Sequence, residues 1–142
     1  VSFDLYASSG DLELGNNGDL LLVRDSDKLV QDVLKLLNTT TGSDPLNPMY
    51  GSILTSASLG QIMDPLVLAT RAQMVIAEAL DNLISIQQYQ RSIQFMSEAE
   101  SIVDFDTPIV EQDASDSRQY NIYVSAISKE LVPLTIQIEV RL

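Results

Sequence analysis

Pro133-Leu134-Thr135-Ile136-Gln137-Ile138-Glu139-Val140-Arg141-Leu142 alternates apolar and polar side chains up to the last residue. Successive side chains of an extended chain point to opposite faces. This spacing therefore describes a strand with Leu134, Ile136, Ile138, Val140 and Leu142 against a core and Thr135, Gln137, Glu139 and Arg141 in water. A sheet with one dry face needs a second layer to cover it.

Working back along the chain, the same period of two recurs at Tyr120, Ile122 and Val124, at Ile102 with Val103 and Phe105, and at Ile93 and Phe95. Glu111 to Arg118, including Gln112-Asp113-Ala114-Ser115-Asp116-Ser117, is polar and reads as a loop between two of these strands. The covering layer begins at Asp64-Pro65, a capping carboxylate followed by a proline at the first helical position, where its missing N–H is not needed. From there a helix is predicted to about Leu83 or Ile86. Leu68, Ala72, Val75, Ala79 and Leu83 form its stripe, widened by Ala69, Ile76 and Leu80. Small alanines allow close approach to a sheet.

Nearer the N-terminus, Gly15-Asn16-Asn17-Gly18 separates Leu12 and Leu14 from Leu20-Leu21-Leu22-Val23, which predicts a β-hairpin. Asp25 and Ser26 then read as helix caps before Leu29, Val30, Val33, Leu34, Leu36 and Leu37, a short amphipathic helix ending near Asn38. Thr39 to Pro48, with its β-branched residues, Gly42, Pro45 and Pro48, stops that helix and opens a loop through Tyr50-Gly51-Ser52. The sequence thus predicts an α+β fold over residues 1–142 as a single domain. In it an N-terminal β-hairpin, a short helix and a long helix pack on an antiparallel or mixed sheet of C-terminal strands. No internal repeat or linker is visible.

Composition narrows the chemistry. The chain has no cysteine and no histidine, which removes thiol chemistry, disulfides, Cys- or His-based zinc sites and Ser-His-Asp catalysis. Its formal charge is −12, from 20 acids against 8 bases, so a phosphate backbone is repelled and basic partners are favoured. A hydrophobic fraction of 45% argues for a folded chain. No apolar run approaches the roughly 18 residues of a membrane span, and Val1-Ser2-Phe3-Asp4-Leu5 is unlike a signal peptide. Neither membrane association nor export is expected.

The acids offer pairs, Glu98 with Glu100 and Asp104 with Asp106, but nothing distinguishes one member as the raised-pKa acid of a glycosidase. Asp113, Ser115 and Asp116 lack the ligand spacing, central Gly and closing Glu of a calcium loop. There is no Walker or dinucleotide fingerprint. The chain is therefore expected to bind proteins rather than catalyse, without cofactor or metal.

One stretch carries a resemblance. Leu36-Leu37-Asn38-Thr39-Thr40-Thr41-Gly42-Ser43-Asp44-Pro45-Leu46-Asn47-Pro48-Met49-Tyr50-Gly51-Ser52-Ile53-Leu54 resembles the baseplate wedge family of contractile phage tails. That family includes sheath initiators, some labelled lysozyme-like, and TssE-type subunits of type VI secretion. Leu37, Thr39, Gly42, Pro48, Tyr50, Gly51, Ser52 and Leu54 match its pattern of an apolar helix, a Leu-Thr stretch, a Gly turn, then Pro, aromatic, Gly, small residue and Leu. Phe3-Asp4-Leu5, Gly10 to Leu14, Gly18-Asp19-Leu20 and Leu29-Val30-Gln31-Asp32 are similar to the family's first hairpin and helix. Where many members carry an acid, Pro and Arg after the long helix to dock on the wedge core, this chain has Gln88-Tyr89-Gln90-Arg91, and only Arg91 stands for that motif.

The resemblance implies a virion structural subunit, present in several copies in the tail baseplate and assembled in the host cytoplasm. It implies baseplate wedge proteins and the tail sheath protein as partners, and a sheet that shares strands with sheath subunits to template the first ring. The candidate partner-binding residues are Tyr50, Gly51, Ser52, Arg91, Ile136, Ile138 and Val140. Pro133 to Leu142 is the first candidate strand to offer backbone groups to another chain, the alternative being a strand paired wholly within its own sheet. For Tyr50-Gly51-Ser52 two readings stand side by side: a partner-facing loop, or a ring that plugs the core beside a glycine meeting a backbone requirement. A tail-borne, carboxylate-dependent muramidase and an unrelated binding adaptor are the competing functions.

Overall fold

The computed structural model describes residues 2–8, 10–54 and 64–141. The chain runs β1 (Asp4–Leu5), β2 (Ala7–Ser8), β3 (Asp11–Leu12), β4 (Leu22–Val23), α1 (Asp25–Asn38), α2 (Pro65–Ile93), β5 (Ile102–Phe105), β6 (Ile109–Gln112), β7 (Gln119–Ser128) and β8 (Pro133–Arg141). This is the expected α+β order.

The β7–β8 hairpin organises the C-terminal half, with Tyr120 opposite Val140, Ile122 opposite Ile138 and Val124 opposite Ile136. Lys129-Glu130-Leu131 turn the chain. Leu131 N–H donates to Ser128 O at 2.8 Å and Ser128 N–H to Val132 O at 3.1 Å. Such a turn closes on a left-handed residue, and Leu131 occupies it at φ 63°. β5 and β6 share the opposite edge of β7, β5 beside residues 126–128 and β6 beside residues 120–123. Every pairing in this sheet is antiparallel. Leu142, the last residue of the expected terminal strand, lies outside the described residues.

One sheet face is dry. Tyr120, Ile122, Val124 and Ala126 of β7 and Ile136, Ile138 and Val140 of β8 are buried, and α1 and α2 cover them with Leu29, Val33, Leu36, Ala72, Ile76, Leu80 and Leu83. Each large aliphatic side chain buried here contributes roughly 1.5–3 kcal/mol, which is why the alternation reads so clearly in sequence. α2 starts as predicted, Asp64 Oδ1 accepting the Leu66 N–H at 2.9 Å.

Four expectations need correction. α2 continues past Leu83 and Ile86 to Ile93, because Gln87, Gln88 and Gln90 are good helix formers that carry no apolar period. Ile93 and Phe95 therefore form no strand; Ile93 ends the helix, Phe95 follows it, and both are exposed. Asp25 and Ser26 do not cap α1, since Asp25 already lies in the helix at φ 51° and Arg24 precedes it without a side-chain cap bond. Asp25 and Asp27 instead place negative charge in the first turn, where the helix dipole favours it. Finally, Glu111 and Gln112 belong to β6, so the polar loop narrows to residues 113–118.

The predicted hairpin forms around residues 15–18, Gly15 N–H donating to Asp19 O at 2.7 Å and Leu14 bridging Leu20. It belongs to a small layer in which β1 pairs β4 and β2 pairs β3. Tyr6 joins the two ladders, its N–H donating to Leu21 O at 2.8 Å and its C=O accepting from Glu13 N–H at 3.4 Å. Gln31 ties this layer to α1. Its side-chain Oε1 accepts from Ala7 N–H at 3.0 Å and its Nε2 donates to Leu5 O at 2.8 Å.

Candidate partner-binding surfaces

The loop after α1 is built around its own backbone. Gly51 lies at φ 113°, and a Cβ there would stand 2.5 Å from Thr39 O and 3.0 Å from Thr41 N. Only glycine fits so close an approach in that conformation. Ser52 N–H donates to Thr39 O at 2.8 Å and Thr41 N–H to Ser52 O at 3.1 Å. The Ser52 hydroxyl donates to Leu37 O at 2.9 Å, satisfying one of the carbonyls that a helix C-terminus leaves unpaired. Tyr50 packs half-buried against the core. Burial, then the carboxylates of Asp32, Asp4 and Asp44, push its hydroxyl up to about 12. Gly51 and Ser52 are both buried, so their polar groups serve the chain itself.

Arg91 is half-buried near the end of α2 and reaches across to the segment before β5. Its Nη2 donates to Ser101 Oγ at 2.7 Å and lies 3.5 Å from Ser97 O. Arg91 and Lys129 flank a cleft of about 250 Å³ that Gln88 and Val103 also line. These are two of the protein's 8 basic residues.

β8 presents a different kind of surface. Ile136, Ile138 and Val140 face the core at 2%, 5% and 7% exposure, so their side chains cannot reach a partner in this fold. Thr135, Gln137, Glu139 and Arg141 are exposed. The Ser128–Val132 hydrogen bond fixes which backbone groups point where. Antiparallel pairs alternate, so Leu134, Ile136, Ile138 and Val140 bond to β7, while the N–H and C=O of Thr135, Gln137 and Glu139 turn outward. On β7 the same alternation turns Gln119 and Ser125 away from β8, and their carbonyls accept from Asp113 and Asp106 N–H at 2.8 and 2.9 Å on the opposite edge. Pro133, which has no N–H, occupies an outward position, as edge strands permit. Among the described residues β8 pairs with β7 alone.

The acid pairs separate. Glu100 is wholly buried, Oε1 accepting Ser97 N–H at 2.7 Å, whereas Glu98 is exposed and lies 3.8 Å from Lys129 Nζ. Asp104 and Asp106 are exposed. The Asp113 carboxylate turns onto its own loop, accepting Ser115 N–H at 2.7 Å and Asp116 N–H at 3.2 Å. Among the described residues no cluster of three or more acids is arranged to hold a metal ion, and no helix is long and apolar enough to cross a membrane.

Sequence reasoning passed over Gln31 and Gln87. Both are buried glutamines on otherwise apolar helix faces. Gln87 follows Leu80 and Leu83 at spacings of seven and four, so its place on the stripe was the available signal.

Fold and surfaces together define an α+β domain with an open sheet edge. No protein-family model matches the chain, and no curated protein matches its sequence. Among solved structures, the chain is similar to one from Geobacter sulfurreducens named "putative tail lysozyme". The TM-score is 0.61 at 9% identity, over 82% of this chain and 89% of that one. At that identity the likeness speaks for the fold.

Proposed function

We propose that this protein is a structural subunit of a phage tail baseplate wedge, which binds core wedge proteins and templates the first ring of tail sheath by sharing a strand at β8. The observation that carries the reading is the outer edge of β8, whose donors and acceptors, unpaired among the described residues, form a row that an added strand completes. The tail setting draws on the fold shared with the Geobacter sulfurreducens structure and on the resemblance of residues 36–54. Arg91, with Lys129, is the proposed contact to wedge proteins. In this reading the protein resides in the virion tail.

The test uses a backbone change in place of a truncation, because removing Thr135 to Leu142 would also remove core residues. Co-expression with sheath and wedge proteins is expected to give a stable complex. Gln137→Pro, which deletes an outward N–H, should weaken it, while Glu130→Lys in the turn should not. Absence of any complex, in pairs or in threes, overturns the tail reading; a full-strength complex with folded Gln137→Pro overturns strand sharing.

The neighbour's name raises the competing muramidase reading. Burial of Glu100 speaks against it, since that carboxylate cannot touch a polysaccharide without unfolding its turn. Clearing of a peptidoglycan suspension by the purified protein, abolished by Glu98→Gln or Glu100→Gln, would reverse the assignment.

A further inference from the structure

Between the N-terminal β-layer and α1 runs a groove of about 660 Å³, within the roughly 300–1,000 Å³ typical of binding clefts. Leu21, Leu22, Val23, Val30 and Leu34 make its apolar lining, and Gln31 lies among them. The Gln31 amide is already bonded to Leu5, Ala7 and Asp4, and Tyr6, Ser8 and Asp27 complete the polar part of the lining. Within the lining, Leu21 and Leu22 are 39% and 44% exposed. Apolar side chains gathered in one cleft mark an interaction site more often than isolated exposed leucines do.

The charge around the groove selects the partner. Asp27 lines it, and Asp11, Glu13, Asp19 and Asp25 are exposed on the same layer or at the start of α1. Among the described residues none of these five acids forms a salt bridge, while Lys28 and Lys35 are already paired with Asp32 and Asp4; Arg24, exposed between β4 and α1, is the other base here, and the five acids outnumber it. A second copy would bring another charge of −12 to the same acids, and nucleic acid would be repelled in the same way. The strands of this layer are two residues long, too short to template an added strand. A helix seated in a groove needs no such ladder.

We propose that this groove docks an amphipathic helix of another protein, its leucine- or phenylalanine-type side chains against Leu21, Leu22, Val30 and Leu34 and its lysines or arginines toward Asp27 and the neighbouring acids. None of the groove residues lies on β8, so the site stands or falls independently of strand sharing.

The experiment is fluorescence anisotropy with a labelled helical peptide carrying Leu on one face and Lys on the other. It is compared with a Leu/Glu peptide and with a Lys peptide whose leucines are replaced by serine. The expected result is binding of the Leu/Lys peptide alone. Leu22→Ser or Asp27→Lys should weaken it about tenfold, the scale of losing one buried apolar contact or a charge partner. Glu130→Lys, outside the groove, should leave it unchanged. No binding, equal binding of the serine-substituted peptide, or equal weakening by Glu130→Lys overturns the proposal. So does sedimentation showing a homodimer that Leu22→Ser dissociates.

Discussion

Gln87 holds Ile102 as a neighbouring strand would. Its Oε1 accepts the Ile102 N–H at 2.8 Å, and its Nε2 donates to Glu100 O at 3.1 Å, two residues back. Gln31 repeats the pattern on Leu5 O and Ala7 N–H. In each case a buried helical amide satisfies the C=O of one residue and the N–H of the second residue along. An orphaned backbone group in these positions costs about 1–3 kcal/mol. Gln87→Leu, which strands both partners at a buried site, is expected to destabilise by roughly 2–4 kcal/mol on the same scale. Urea unfolding measures the loss, and hydrogen exchange should report faster exchange at the Ile102 amide.

Gly51 and Gly42 allow a paired test of the loop motif. Both have positive φ, but a Cβ at Gly42 meets open space whereas at Gly51 it collides with Thr39 O. Gly42→Ala should cost about 1–2 kcal/mol, the ordinary left-handed penalty. Gly51→Ala should cost clearly more in the same urea series. Equal midpoints would remove the steric account of Gly51.

Alkaline titration tests the surroundings of Tyr50. Its folded value, raised to about 12 from 10.0, lies above that of the unfolded chain. The neutral phenol therefore contributes stability that is complete below pH 10.0 and is lost as pH rises toward about 12. Absorbance near the phenolate band should show a late-titrating phase, and Tyr50→Phe should remove that phase along with the associated fall in stability.

At the acid end the sign reverses. For Asp4, burial raises the carboxyl's value, but hydrogen bonds from Lys35, Leu5 N–H and Gln31 and the Lys35 charge outweigh it and leave the value lowered. Asp113 is lowered by the Ser115 hydroxyl and the Ser115 and Asp116 N–H groups, and Asp116 by Arg118 N–H and the Arg141 guanidinium. A depressed carboxyl stabilises above its unfolded value, ordinarily 3.8, and that contribution disappears as pH falls through the folded one. The amides of Leu5, Ser115 and Arg118 should lose protection below that range. Asp4→Asn should abolish the acid response at Leu5 alone.

Along β8, neighbouring positions should respond oppositely to proline. Ile138 N–H points into the β7 ladder and its side chain into the core, so Ile138→Pro, which truncates a core side chain and strands a ladder acceptor, should cost at least about 3 kcal/mol. Gln137 N–H points outward, and Gln137→Pro should leave the melting temperature and far-ultraviolet dichroism nearly unchanged. Equal damage at both sites would show that the alternation is misassigned.

Where side-chain chemistry repeats with the period of an element, the sequence was readable. Ile136, Ile138 and Val140 announce β8, and Asp64-Pro65 announces α2, because burial and capping act on the residues that display them. The contacts of Gln87 and of Arg91, itself named as a candidate, were hidden for the opposite reason. Their role is to satisfy groups on Glu100, Ser101 and Ile102, and no local pattern encodes a partner 10 to 15 residues away. The Tyr50-Gly51-Ser52 loop lay between these cases. Its glycine requirement was legible as one of two readings, and the hydroxyl of Ser52 on Leu37 O emerged only from the folded chain.

β5 and β6 lie end to end on one edge of β7, interrupted between Phe105 and Ile109, while β8 runs nine residues along the other. Among the described residues the sheet therefore has a valence of one, with a single uninterrupted edge that a strand of matching length can occupy. Pro133 blunts its start, so an incoming chain finds its first outward donor at Thr135. Any assembly built through this edge should consequently be stoichiometric, one strand accepted per protomer, with its register fixed from one end.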